Sequence, residues 1–133
     1  MRRLVAVILS LLALSPAAFA AEITVDVPGD QTVQVLGTGL SVRFAGITDQ
    51  RCPSDVACVW EGMIRVELHI ARDGGASKPV ILCNMCDDGT RDVIAGGHRF
   101  SLRGLAPSTE VLDGMARLPV LGDYTVTLAF APE

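Results

Sequence analysis

The chain carries no surplus of positive charge: eleven Lys and Arg face fifteen Asp and Glu, a formal net charge of −4. Without a basic excess, electrostatic capture of nucleic acid or of an anionic membrane is not expected. It also lacks an apolar run long enough to cross a bilayer. The longest, Leu4 to Leu14, covers eleven residues, whereas a spanning helix needs about 20. Catalytic templates are missing too: there is no Gly-x-Ser-x-Gly elbow, no His-Glu-x-x-His pair and no phosphate-cradling glycine loop. No enzymatic activity and no cofactor are therefore expected. A triad assembled on paper from Ser54 or Ser101 with a His and an Asp carries no information. Linkers, internal repeats and low-complexity tracts are absent, and the many branched apolar residues argue against disorder.

What is present begins with a processing signal. Arg2 and Arg3 precede the apolar run, and Ser15-Pro16 and Ala18-Phe19-Ala20 follow it. This order reads as a secretory signal peptide over residues 1–20, cut after Ala20. Ala21 would then lead the mature chain, and because it is not Cys a lipid anchor is not supported. Residues 21–133 form a single domain, expected to be soluble in a periplasm or secreted, with no membrane anchor. Export changes the reading of Cys52, Cys58, Cys83 and Cys86, since disulfides become the default in an oxidising compartment. Four cysteines allow three pairings, and spacing favours Cys52 with Cys58 and Cys83 with Cys86 without proving either. A ring over 52–58 contributes roughly 2 kcal/mol by chain entropy, and a bridge from Cys52 to Cys83 nearer ~4 kcal/mol.

Two-residue alternation dominates the remainder. Ile23, Val25 and Val27 oppose Glu22, Thr24 and Asp26; Val33 and Val35 alternate with Thr32 and Gln34; Leu40, Val42 and Phe44 form a third run. After Trp60, Ile64, Val66, Leu68 and Ile70 face inward while Arg65, Glu67 and His69 face outward. Val80 to Cys83, His98 to Leu105 and Tyr124 to Phe130 complete the strands. Pro28-Gly29-Asp30, Gly37-Thr38-Gly39, Arg72 to Ser77 and Asp87-Asp88-Gly89 supply turns, and Gly96-Gly97 the entry to a strand. Thr109 to Arg117 fits a short helix as well as an irregular edge. Short strands with turn signals and no long helix predict an all-β antiparallel sandwich, immunoglobulin-like or a related Greek key, with a small β-barrel as the alternative.

The densest cluster of chemistry is Asp49-Gln50-Arg51-Cys52-Pro53-Ser54-Asp55-Val56-Ala57-Cys58-Val59-Trp60-Glu61-Gly62, between two strands. It resembles a family of small exported bacterial proteins of uncharacterised function. Their hallmark is Asp-Ser-Arg-Cys-Pro, a second Cys five residues on, then Val-Trp-Ala-Gly and an alternating strand. Gln50 and Glu61 depart from that pattern, while Arg99 to Pro107 and Gly122 to Leu128 extend the similarity. The resemblance implies an all-β fold and a Cys52–Cys58 bridge, and brings no activity with it. Such a ring, with Pro53 inside, would hold a sharp crossover while Trp60 fills the core below. The functional alternative is a preorganised recognition loop formed by Arg51, Pro53, Ser54, Asp55 and Val56. Arg51 beside Asp49 or Asp55 reads as an ion pair that shapes this loop.

Cys83-Asn84-Met85-Cys86 falls outside the resemblance. A redox Cys-x-x-Cys sits at a helix N-terminus, which lowers the thiol pKa; here the motif ends a strand and runs into Asp87-Asp88, which raise it. A structural turn disulfide is the preferred reading. Thiolates with the Met85 thioether would suit Cu(I), and four thiolates zinc, with His98 or His69 added if the fold brought them near. Asp87, Asp88 and Asp92 lack calcium-loop spacing and read as a solvated turn. The expected function is a non-catalytic binding or interaction module for an unknown protein or small ligand. Its rivals are a periplasmic copper, zinc or thiol-redox protein using Cys83 and Cys86 with Met85 and His98, and an inhibitor of an exported hydrolase acting through the 52–58 loop.

Overall fold

A computed structural model describes residues 22–87 and 90–133. The signal segment read over 1–20, and Asp88 and Gly89 of the expected turn, lie outside the described residues. Eight strands follow in order: β1 (Ile23–Pro28), β2 (Thr32–Val35), β3 (Leu40–Arg51), β4 (Gly62–Arg72), β5 (Lys78–Cys83), β6 (Asp92–Ala95), β7 (His98–Ala106) and β8 (Thr125–Pro132). A short helix, α1 (Thr109–Asp113), and a 3-10 turn (Leu121–Asp123) occupy the β7–β8 connection. The ambiguous 109–117 stretch thus resolves as one helical turn, opened by the Ser108 side chain, which accepts from the Val111 N–H.

The strands form two antiparallel sheets in the orders β1-β8-β7-β6 and β2-β3-β4-β5. This is the expected all-β sandwich. Within it, β2 to β5 run as one meander and β6 to β8 as another, the chain changes sheet between β1 and β2 and between β5 and β6, and β8 returns beside β1. Inward positions of the two sheets meet in one core, centred on Phe44, Phe100, Leu68, Leu82 and Leu128. Gly96 and Gly97, both at positive φ, make the two-residue turn from β6 to β7, with Ala95 opposite His98. β6 is a strand that the sequence reading does not identify.

Two bulges decide which residues reach the far end of the core. In β3 the register against β4 shifts between Phe44 and Gly46. Leu40, Val42 and Phe44 face inward before it; after it the inward parity passes to Ile47, Asp49 and Arg51, opposite Val66, Ile64 and Gly62. β7 shifts likewise between Leu102 and Gly104, turning Leu105 toward the core. Asp49 and Arg51 therefore belong to a paired strand instead of the loop, and point into the sandwich.

Candidate functional site

The end of the sandwich reached by these bulges is closed by a polar plug. The Arg51 guanidinium donates to both Asp49 carboxylate oxygens, Nε to Oδ1 and Nη2 to Oδ2, each at 2.8 Å. It also donates to two backbone carbonyls at the end of β7 and just past it, Nη1 to Leu105 at 3.1 Å and Nη2 to Pro107 at 3.0 Å. The Arg51 amide also donates to Asp49 Oδ1, and the Tyr124 phenol lies near enough to the same carboxylate to help lower its pKa. Arg51 and Asp49 are largely buried, 16% and 10% exposed, and the four guanidinium bonds are what make the placement tolerable. Burial raises the Asp49 pKa, but the Arg51 hydrogen bonds and charge, with Tyr124, outweigh it and hold the carboxyl below its ordinary value. Burial and then the Asp49 charge push the Tyr124 phenol up.

Two connections are built on this plug. The 52–61 connection carries the Cys52–Cys58 disulfide, with Cα atoms 5.9 Å apart. Inside the ring, the Val56 N–H donates to the Pro53 carbonyl, a folded turn and not an extended strand. Ser54 donates twice to Asp113 Oδ2 on α1, from its amide at 2.9 Å and its hydroxyl at 2.7 Å. Those two bonds lower the Asp113 pKa. In the 107–124 connection, Arg117 holds Asp123 through two bonds of 2.7 Å, and with the Val120 amide brings that carboxyl down to about 2. Between the connections lies a groove of about 610 Å³, floored by Asp49, Arg51 and Tyr124 and walled by Pro53, Leu112 and Leu118 among others.

The expected site residues divide. Cys52–Cys58 and Cys83–Cys86 are the two disulfides, and no free cysteine remains. Pro53, Asp55 and Val56 are exposed on the loop, whereas Ser54 is engaged with Asp113 and Arg51 lies beneath the loop, paired with Asp49 and not with Asp55. Trp60 does not fill the core: it is 49% exposed. The reason is register, since β4 begins at Gly62, two residues later, leaving Trp60 beyond the paired strands. Tyr124, 5% exposed, closes the core in its place. Asn84 ties the second disulfide turn to the start of β4: its Oδ1 accepts from Ile64 N–H at 2.8 Å, its amide donates to Ile64 O and its Nδ2 to Gly62 O. Cys86 Sγ lies 3.3 Å from Met63 Sδ.

The proposed auxiliary ligands do not converge. Met85 is exposed beside the plug end, while His98 starts β7 at the opposite end, its Nδ1 near the Gly96 carbonyl. His69 pairs with Glu67 on the outer side of β4. No group of three or more His, Cys, Asp or Glu side chains suited to a metal ion occurs among the described residues. The sequence reading does not single out Tyr124 or Asp113 as site residues. Tyr124 had a faint signal, as the first residue of an inward-alternating run preceded by Gly-Asp; Asp113 had none.

Apolar exposure is concentrated at the same end. Among the described residues ten large hydrophobic side chains are exposed, and seven of them, Val56, Val59, Trp60, Met85, Val111, Leu118 and Val120, lie on 52–61, 84–87 and 107–124. Fold and site together define an all-β sandwich stapled by two disulfides, bonds that mark a non-reducing environment. Compared with known proteins, the chain matches no family model, no curated protein and no solved structure.

Proposed function

We propose that this chain is a non-catalytic binding module, exported to a periplasm or secreted, whose contact surface is the plug end of the sandwich. The carrying observation is the gathering of seven of the ten exposed large hydrophobics on three connections at that end. Monomeric surfaces scatter such residues; a set gathered at one end of the fold and held in place supports a site of association. Two disulfides, the Ser54–Asp113 bonds and the Arg51 clamp hold those connections, so little order has to be gained on binding. Membership of the exported family with the Asp-x-Arg-Cys-Pro and Cys-x-Trp-x-Gly hallmark is part of the proposal. Its supporting observation is that Asp49, Arg51 and Cys52 each have a definite place in the plug or the loop above it.

The deciding experiment is site-specific photocrosslinking in an exporting bacterial host. A benzophenone side chain would be placed in turn at Val59, Trp60 and Leu118, and at Thr24 and Arg99 on the opposite sheet face as controls. Discrete adducts from the first three and none from the controls are expected. Adducts arising only from the control positions would overturn the reading.

A further inference from the structure

The acidic excess of the chain is not spread over its surface. Segments 52–61, 84–87 and 107–124 hold six acidic residues, Asp55, Glu61, Asp87, Glu110, Asp113 and Asp123, against the single base Arg117. The rest of the described residues hold eight acids and eight bases, so their formal charge cancels. Of the six, Asp113 is engaged by Ser54 and Asp123 by Arg117. Asp55, Glu61, Asp87 and Glu110 are exposed, and their side-chain carboxylates make no hydrogen bond or ion pair to another described residue. Each adjoins, or stands within two residues of, an exposed hydrophobic: Val56, Trp60, Met85 and Val111 respectively.

From this arrangement we infer that the plug end docks a basic protein surface, one presenting apolar side chains among Lys or Arg. The inference rests on the proposed binding reading and names the partner's chemistry. Unpaired carboxylates among apolar knobs gain little from a neutral partner and lose hydration against an acidic one; a cationic rim compensates that loss and speeds encounter. A second copy of this chain is disfavoured, because a symmetric contact through this end would set the carboxylates against one another. Anionic lipid and nucleic acid are repelled for the same reason.

The test is selection of peptides from a random displayed library on the purified, disulfide-intact protein. It is followed by affinity measurement of the winners on two variants, each first checked for an unchanged melting transition. One carries Asp55→Lys, Glu61→Lys, Asp87→Lys and Glu110→Lys; the other carries Val59→Ser and Trp60→Ser. Winners rich in Lys or Arg interleaved with aromatic or aliphatic residues are expected. Both variants should weaken them at least about ten-fold, as should raising NaCl from low to near-molar concentration. Winners without basic residues that still lose affinity on the Val59/Trp60 variant would overturn the charge inference and leave the docking surface standing. Winners indifferent to both variants, or none above background, would overturn both. Concentration-dependent dimerisation abolished by Val59→Ser would assign the surface to a second copy and likewise overturn the inference.

Discussion

At the residue scale, Arg51 is the side chain on which the plug depends, because one guanidinium serves Asp49 and two carbonyls around the end of β7. Lysine carries the charge but not the planar fork, so it can keep one of these partners and leaves the others unpaired in a largely dry site. Arg51→Lys is therefore expected to lower unfolding free energy by roughly 3 kcal/mol in urea titration. A loss within the error of the titration would show that the fork is dispensable. Asp49 makes a different prediction, on pH. Folding lowers its pKa, so its contribution is complete above the ordinary carboxylate range and is lost as pH falls through the lower folded value. Asp49→Asn should lower the melting temperature at neutral pH and flatten its decline in acid. A variant whose acid limb stays as steep as that of the parent would place the linkage on Glu22, Asp113 or Asp123, whose pKa values are also lowered.

At the scale of elements, what could be read from the sequence was the regular part. The alternation of Leu40, Val42 and Phe44 and of Ile64 to Ile70 matches the buried faces of β3 and β4, and close spacing favoured the two disulfides that are present. What could not be read was the change of parity at the β3 bulge. Continuing the alternation past Phe44 places Asp49 and Arg51 on the outer face, and one extra residue turns them inward. Gly46 is the one local hint, since a glycine inside a strand often marks a bulge, but Ala45-Gly46 is also compatible with an unbroken strand. Trp60 misled for a related reason: an aromatic next to a strand suggests core, but the strand begins two residues later. That start is set by Gly62, at φ +88°, where a Cβ would lie 2.4 Å from the Gln50 carbonyl oxygen and 2.6 Å from Arg51 Cα. Gly62→Ala cannot be absorbed by a flexible side chain, since backbone stands on the other side. It should cost about 2 kcal/mol and disturb the Arg51 register. Exchange of the Arg51, Ser54 and Val56 amides, which donate to Asp49, Asp113 and Pro53, would show the disturbance; a variant as stable as the parent would mean that the backbone shifts freely.

For the whole molecule, the sequence discloses how much charge the chain carries but not where, because the acids that share one end come from three connections separated by strands. The meander also places the two ends of the described chain together and away from the plug. Ile23 pairs with Phe130 across β1 and β8, Glu22 bonds Arg103, and the Glu133 amide donates to Gly97 at the β6–β7 turn. A short Gly-Ser linker from 133 to 22 would thus close an antiparallel hairpin, and new ends can be opened elsewhere. Opening between Gly74 and Gly75 breaks an exposed turn at the end remote from the plug and interrupts neither disulfide. Opening between Asp55 and Val56 cuts the ring that Cys52 and Cys58 hold closed. The first permutant should melt cooperatively and retain peptides selected on the parent. The second should also fold, since strands β3 and β4 remain paired and covalently bridged, but should lose those peptides. If the second retains them, recognition does not pass through the 52–58 ring, and the surface must be carried by 59–61, 84–87 and 107–124.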